Sequence, residues 1–191
     1  MPALRFQQYC GRIPKEEKLK RIVRNLLTEG RQPVEAVIAL SDVYTGTGDF
    51  SSADDAKNKM RRWVGDEPRF YPHVALHDFE AWLLPYWDAI QQLAKIKRAS
   101  PGNRPETIHH GKPPSRILAE LFEIGKGRDS YVKTRDAGRI LRGQSLQVSA
   151  EACPELKAFL NTILRLSGGN EIWWRRERRL RAVDGANSRF L

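Results

Sequence analysis

The sequence predicts an α/β fold: a mostly parallel sheet flanked by helices, followed by a helical C-terminal half. Three observations carry this expectation. Residues 34–40 are a nearly unbroken apolar run of strand length, the pattern of a strand covered on both faces. Helical and strand-like periods alternate, as they do when helical crossovers join parallel strands. From about residue 98 onward only helical periods recur.

From Lys15, the residues Leu19, Ile22, Val23, Leu26 and Leu27 repeat at three and four positions with Lys and Arg between them, which marks one helix face. Gly30 is placed to end that helix, and Pro33 marks the turn into the strand at 34–40. This strand delivers Asp42 and Tyr44 into a loop rich in Thr, Gly and Asp. Ser52, with Asp55 three residues on, is a short acidic capping box that opens a helix through Ala56, Met60 and Trp63. The second strand is Phe70–Leu76, and Pro72 argues for an edge position or an irregular start. Asp78 is read as the N-cap of a further helix, which Pro85 kinks or restarts and which continues through Trp87, Ile90 and Leu93.

Residues 98–114 are basic, rich in proline and poor in apolar side chains, and read as a long loop. Ser115 is the predicted N-cap of a helix containing Ile117, Leu118, Leu121 and Phe122. After a loop from Gly125 to Ser130 comes a weaker helical stretch with Val132 and Ile140. The last regular helix carries Leu156, Phe159, Leu160, Ile163 and Leu164 on one stripe and stops at Gly168 and Gly169. At 191 residues the chain suits one core, so residues 1–169 are expected to form a single domain, with 170–191 as a basic tail rich in Trp and Arg.

The formal net charge of +10 favours phosphate-bearing partners, because Lys and Arg neutralise phosphates and release counterions. An acidic protein partner is the competing explanation. No apolar run is long enough to span a bilayer and no secretion signal opens the chain, so a soluble cytoplasmic protein is expected. Cys10 and Cys153 lack the spacing of a disulfide framework or structural zinc site. Neither a nucleophile elbow nor a P-loop is present, so serine-type hydrolysis and ATP hydrolysis are not expected.

Two strand ends, after Leu40 and after Leu76, should face one edge of the sheet, where ligand sites of open α/β folds gather. Neighbouring strands lie about 4.8 Å apart, so Asp42 and the group His77, Asp78 and Glu80 can converge on one hard cation such as Mg²⁺. If residues 77–80 form the first helical turn, His77 and Glu80 share a face and Asp78 turns away. Asp42 and Glu80 are then ligands, His77 a proton carrier or phosphate contact, and Asp78 a cap. Capping and helix-dipole roles for these acids are the competing reading. His73 and His77 would stand roughly 13 Å apart in a regular strand and cannot share a metal without a bend.

Asp42-Val-Tyr44 followed by Asp49-Phe50, then Leu76-His77-Asp78-Phe79-Glu80-Ala81, then Pro114-Ser115-Arg116, and later Cys153-Pro154, resemble in order the successive motifs of the TOPRIM-like domain-of-unknown-function family four-two-seven-six. The resemblance spans about residues 34–165 and rests on the order of the motifs. It implies a TOPRIM-like α/β domain of the kind encoded beside ABC-type ATPases in prokaryotic defence loci. Such a domain uses Mg²⁺ or Mn²⁺ to hydrolyse phosphodiesters in DNA or RNA. The implied metal set is Asp42, Asp78 and Glu80, and the implied catalytic set Asp42, His77 and Glu80. TOPRIM-like members usually begin with a strand ending in Glu, and residues 1–14 do not fit that pattern. The resemblance thus leaves open a chain that starts late or a degenerate, non-cutting subunit.

Two basic groups complete the candidates. Lys112, Arg116, Lys126, Arg128, Lys133, Arg135, Arg139 and Arg142 are expected either to contact nucleic acid or to be solvated surface, and Arg116 beside Ser115 could receive a phosphate at a helix N-terminus. Trp173 and Trp174 with Arg175, Arg176, Arg178, Arg179 and Arg181 are read as a partner-binding segment, since two indoles left in water would form an unusual patch. Base stacking is the alternative.

Overall fold

Strand pairing, rather than the extent of the apolar run, sets the limits of the first strand. In a computed structural model, which describes residues 5–9, 14–44, 50–107, 112–126 and 130–170, β1 is Val37–Val43. It pairs in parallel with β2 (Phe70–Leu76), from Val37 opposite Phe70 to Val43 opposite Leu76. Val34 lies outside β1 because its N–H donates to the Leu26 carbonyl at 2.9 Å and ties it to the preceding helix. Asp42 therefore stands within β1, opposite Ala75, and not in a loop beyond the strand.

The expectation that the run at 34–40 is covered on both faces fails for β1, and it is β2 that is enclosed. Val37, Ala39 and Val43 pack into a core with Phe70 and Val74 from β2. The alternate residues Leu40 and Asp42 are exposed, as side chains of opposite parity must be when only one face is covered. β2 is enclosed because its other face, with His73 and Ala75, lies against the last helix. Among the described residues β2 has one strand neighbour, in line with the edge position argued from Pro72.

The covered face belongs to α1 (Glu16–Arg24), its π-helical extension Asn25–Glu29, and α2 (Ala53–Val64). Leu19, Val23 and Leu27 meet Ala56, Met60 and Val64 there, which realises the helical spacing of both segments. Gly30 ends the first helix through close approach: a Cβ would stand 2.9 Å from the Asn25 carbonyl oxygen. Ser52 caps α2 by accepting from the Asp55 N–H at 3.1 Å, while Asp55 Oδ2 accepts from the Ser51 N–H at 3.0 Å.

Past β2 the chain does not enter a regular helix. His77 adopts a left-handed conformation, φ 68°, and its N–H extends the ladder to the Val43 carbonyl at 2.8 Å. Two 3-10 turns, Phe79–Trp82 and Leu84–Tyr86, lead into α3 (Trp87–Ala94), with Pro85 at the restart. α4 (Pro114–Lys126) begins one residue before the predicted cap and continues past Gly125, which the sequence suggested as the start of a loop. Helix α4 crosses the end of α3 there so closely that a Cβ on Gly125 would lie 1.9 Å from the Ala94 carbonyl oxygen.

α5 (Lys133–Leu141), α6 (Leu146–Ala152) and α7 (Pro154–Leu166) complete the helical half. Leu83, Leu84, Ile90, Leu118, Phe122 and Ile140 form its main core. No hydrophobic period marks α6 in the sequence, and the reason is orientation. Its apolar Leu146 and Val148 point to solvent while Ser149 and Ala150 are buried, so its hydrophobic period runs against its packing. Gly168 and Gly169 stop α7 as expected, with the Gly169 N–H bonded to the Leu164 carbonyl at 2.7 Å. Among the described residues no helix is long and apolar enough to cross a membrane.

Candidate functional site

β1 and β2 end side by side, and three segments deliver polar side chains to that edge. β1 contributes Asp42 and, just after it, Tyr44. The left-handed turn at His77 swings the following chain under the strand ends, so that Asp78 and Glu80 are buried, at 3% and 1% exposure. The approach to α5 adds Tyr131 and Lys133.

Lys133 is the centre of the group. Its Nζ lies 3.2 Å from Glu80 Oε2 and 3.7 Å from Asp42 Oδ2, and 4.6 Å from the centre of the Phe79 ring. Glu80 Oε1 accepts from the Tyr131 hydroxyl at 3.4 Å. Burial pushes the Glu80 carboxyl above the usual carboxylate range, Lys133 opposes this, and the nearby Asp78 adds to it. Asp42 is raised in the same way, by burial first, with Lys133 again opposing and Asp78 reinforcing. Two carboxylates thus share one ammonium, and a third acidic side chain disfavours their charge.

Asp78 is divided between two environments. Its Oδ2 accepts from the Ser115 N–H at 3.1 Å and from the Tyr44 hydroxyl at 3.4 Å. Its Oδ1 is buried and accepts no hydrogen bond from the described residues. The Tyr44 hydroxyl is pushed up to about 12 by burial and by Asp78 and Asp42, and remains a proton donor at neutral pH. Burial, with Glu80 beside it, raises the Tyr131 hydroxyl as well.

Several sequence-based roles change here. Asp78 makes no side-chain cap for its own turn and instead caps the first turn of α4 from a distance. It occupies the Ser115 amide, which is therefore not open to a phosphate at that helix end. His77 and Glu80 do not share a helical face, because residue 77 precedes the 3-10 turn in a left-handed conformation. The His77 ring is buried edge-on against Tyr44, with centroids 6.2 Å apart. Lys133 belongs to the carboxylate centre rather than to an outer basic surface.

Of the remaining basic candidates, Lys112, Arg116, Arg135 and Arg139 are engaged close to home, and Arg142 is exposed. Arg116 and Lys112 both reach Glu120, Arg116 Nε at 3.4 Å. Arg135 donates to Asp136 Oδ1 and Oδ2 at 3.0 and 2.9 Å, and Arg139 lies 3.3 Å from the same carboxylate. Arg116–Glu120 and Arg139–Asp136 are pairs along one helix face. Arg128, Trp173, Trp174, Arg175, Arg176 and the rest of the tail lie outside the described residues, as does the side chain of Lys126.

Tyr131 had no motif in the sequence to mark it. Its only signal was a place two residues before Lys133, ahead of a helix.

The family profile described as "Domain of unknown function (DUF4276)" matches residues 2–164. The chain belongs to this family. No curated protein and no solved structure matches it. The motifs that carry the resemblance, from Asp42 to Cys153, all fall inside the DUF4276 match.

Among the described residues no three His, Cys, Asp or Glu side chains are gathered as a ready metal cage. The donor chemistry nevertheless suits a hard cation. Asp42 and Glu80 already meet on one cationic centre, the bare Oδ1 of Asp78 is buried close by, and oxygen-only donors match the preferences of Mg²⁺ and Mn²⁺. With Lys133 withdrawn, Asp42 and Glu80 would hold the ion, with Asp78 behind them.

Proposed function

We propose that this DUF4276 protein is a TOPRIM-like, divalent-metal-dependent nuclease subunit that hydrolyses phosphodiesters in DNA or RNA. The observation that carries the reading is the charge balance at the strand ends. Asp42 and Glu80 share one ammonium, Lys133, with a third carboxylate, Asp78, beside them, and the buried Asp78 Oδ1 accepts no hydrogen bond from the described residues. Buried charge of one sign is expensive unless an ion compensates it, and a divalent cation would offset the carboxylates of Asp78 and Glu80, both buried, and of the partly exposed Asp42. The parallel β1–α2–β2 unit supports the TOPRIM-like assignment. The net charge of +10 supports a polyanionic substrate.

In this mechanism Asp42 and Glu80, at the carboxyl ends of β1 and β2, would hold the ion. The metal, when bound, supplies Lewis-acid stabilisation of the attacking and leaving oxygens. Tyr44 keeps its proton and holds Asp78 in place. Lys133, half exposed and held near the centre, is positioned to contact a non-bridging phosphate oxygen. The His77 ring packs behind Tyr44 and fixes its direction.

The test is cleavage of end-labelled single- and double-stranded DNA and RNA, with Mg²⁺, with Mn²⁺ and with EDTA. Metal-dependent cleavage that disappears in Asp42→Ala and in Glu80→Ala is expected. Cleavage at the wild-type level in both variants would overturn the site assignment.

A second reading is favoured by Lys133 itself. If its ammonium is the permanent counterion, the site is closed to metal and the chain is a non-cutting subunit that docks on an ABC-type ATPase, with the segment around Trp173 and Trp174 as the contact. That reading expects no metal-dependent cleavage, and co-purification with the ATPase that is lost on removing residues 170–191. Both readings fit a cytoplasmic protein that works beside nucleic acid.

A further inference from the structure

Lys133 is held by two different kinds of contact. Its ammonium bridges Glu80 Oε2 at 3.2 Å and Asp42 Oδ2 at 3.7 Å, and it also lies over the Phe79 ring at 4.6 Å. Its side chain is 50% exposed, whereas that of Glu80 is 2% exposed. The Glu80 carboxylate is enclosed and the lysine is half exposed. It leaves the first turn of α5 on a flexible four-carbon stem, and a Lys ammonium is a compact point charge that reorients readily.

From this geometry we propose that Lys133 is an internal counterion that a divalent cation must displace from Asp42 and Glu80, so that Lys133 sets the metal concentration at which the site fills. The inference rests on the cation reading above and adds a regulatory residue to it. A metal ion and the ammonium cannot occupy the same two carboxylates, because like charges about 4 Å apart repel strongly even at an effective dielectric near 20. The Phe79 ring offers the displaced ammonium a second resting place, since a cation over an aromatic face remains favourable without a carboxylate. Displacement then moves the positive charge a short way, and it stays at the site.

The lysine thus has two positions with different consequences. In the first, the carboxylates are neutralised from within and the chain is stable without metal. In the second, the ion holds the carboxylates and the ammonium is available to an incoming phosphate. The switch is competitive, and its midpoint follows from the relative hold of metal and lysine on the same oxygens.

Mn²⁺ titration of the full chain by isothermal calorimetry tests this directly, comparing wild type with Lys133→Met and Lys133→Arg. Met keeps the apolar stem and removes the charge. Lys133→Met is expected to bind Mn²⁺ about tenfold more tightly than wild type, and Lys133→Arg no more tightly than wild type. A second measurement needs no variant: acetylation of surface amines in wild type, read by mass spectrometry, with and without saturating Mn²⁺. Labelling of Lys133 is expected to rise severalfold with Mn²⁺ while that of Lys20, a solvent-facing lysine on α1, stays constant. Unchanged or weaker Mn²⁺ affinity in Lys133→Met, or constant labelling of Lys133, would overturn the counterion role alone. Absence of Mn²⁺ binding in both wild type and Lys133→Met would overturn the cation reading and the counterion role together.

Discussion

Glu80 and Trp82 are two residues apart in one 3-10 turn, and each leads into a buried carboxylate. Glu80 is itself one of them. Trp82 donates its indole N–H to the other, Glu106, at 2.9 Å. Glu106 also accepts from the backbone N–H groups of Glu155 and Leu156 at 3.0 and 3.3 Å, and so closes the N-terminal turn of α7. Burial raises its carboxyl, and these three neutral donors pull it back. Glu80 has a weak hydroxyl contact and a single exposed lysine, with two further carboxylates nearby.

The same residue type is thus used for opposite ends. At Glu106 the donors are dipoles fixed by the fold, including the amides of a helix N-terminus, and they suit one negative charge. At Glu80 the surroundings repel the charge they contain, an arrangement that persists where function requires it. The first site is a staple between the long loop and α7, and the second is where binding chemistry is expected.

The sharpest way to break this contrast is on activity. Glu80→Gln should lower metal-dependent cleavage by at least about 100-fold, because the ligand charge is lost at constant shape, while Glu106→Gln in the folded fraction should retain it. Stability should show the reverse order. Glu106→Gln turns an amide NH₂ towards a backbone N–H and should cost about 2 kcal/mol in urea unfolding, whereas Glu80→Gln should leave stability unchanged or raise it. Similar losses in both variants would erase the distinction.

His73 offers a comparison through pH. It is buried between β2 and α7, with Nε2 3.0 Å from Thr162 Oγ1. Burial, with Lys57, Arg61 and Arg165 nearby, lowers its pKa to about 4 from the ordinary 6.5. A histidine depressed in the folded state contributes stability above about pH 6.5 that is lost as pH falls towards 4. Between pH 7.5 and pH 5, wild type should lose about 2 kcal/mol more than His73→Gln. Equal slopes would show that His73 accepts its proton without strain.

The smallest effect concerns Asp78, which combines both kinds of environment. Asp78→Ala removes the remote cap on α4 and should cost about 1 kcal/mol, measurable as a shift in the urea midpoint. A loss well above that would mean that the carboxylate matters more to the fold than to the site.

Much of this architecture was legible locally. The faces of α1 and α7, the Ser52 box and the glycine stop after Leu166 follow from spacing and capping chemistry, both of which act within a few residues. The acids of the site were also visible as Asp42, Asp78 and Glu80 near two strand ends. Lys133 and Tyr131 were not visible as members of it, because they arrive from about fifty residues further along and nothing in their own segment signals a carboxylate partner. α6 was hidden because its apolar residues face outward, so that the pattern of burial contradicts the pattern of hydrophobicity.

By itself the sequence determined most of the helical and extended segments, where most of them stop, and that carboxylates and a strongly basic balance coexist in one chain. Those properties depend on short-range periodicity, on caps and on summed charge. Only the tertiary structure decided that β1 is covered on one face, that Asp78 caps α4, and that one lysine stands between Asp42 and Glu80. Strand register and helix crossing set these distances. Both are fixed when separate surfaces pack together, and neither is written in any single stretch of the chain.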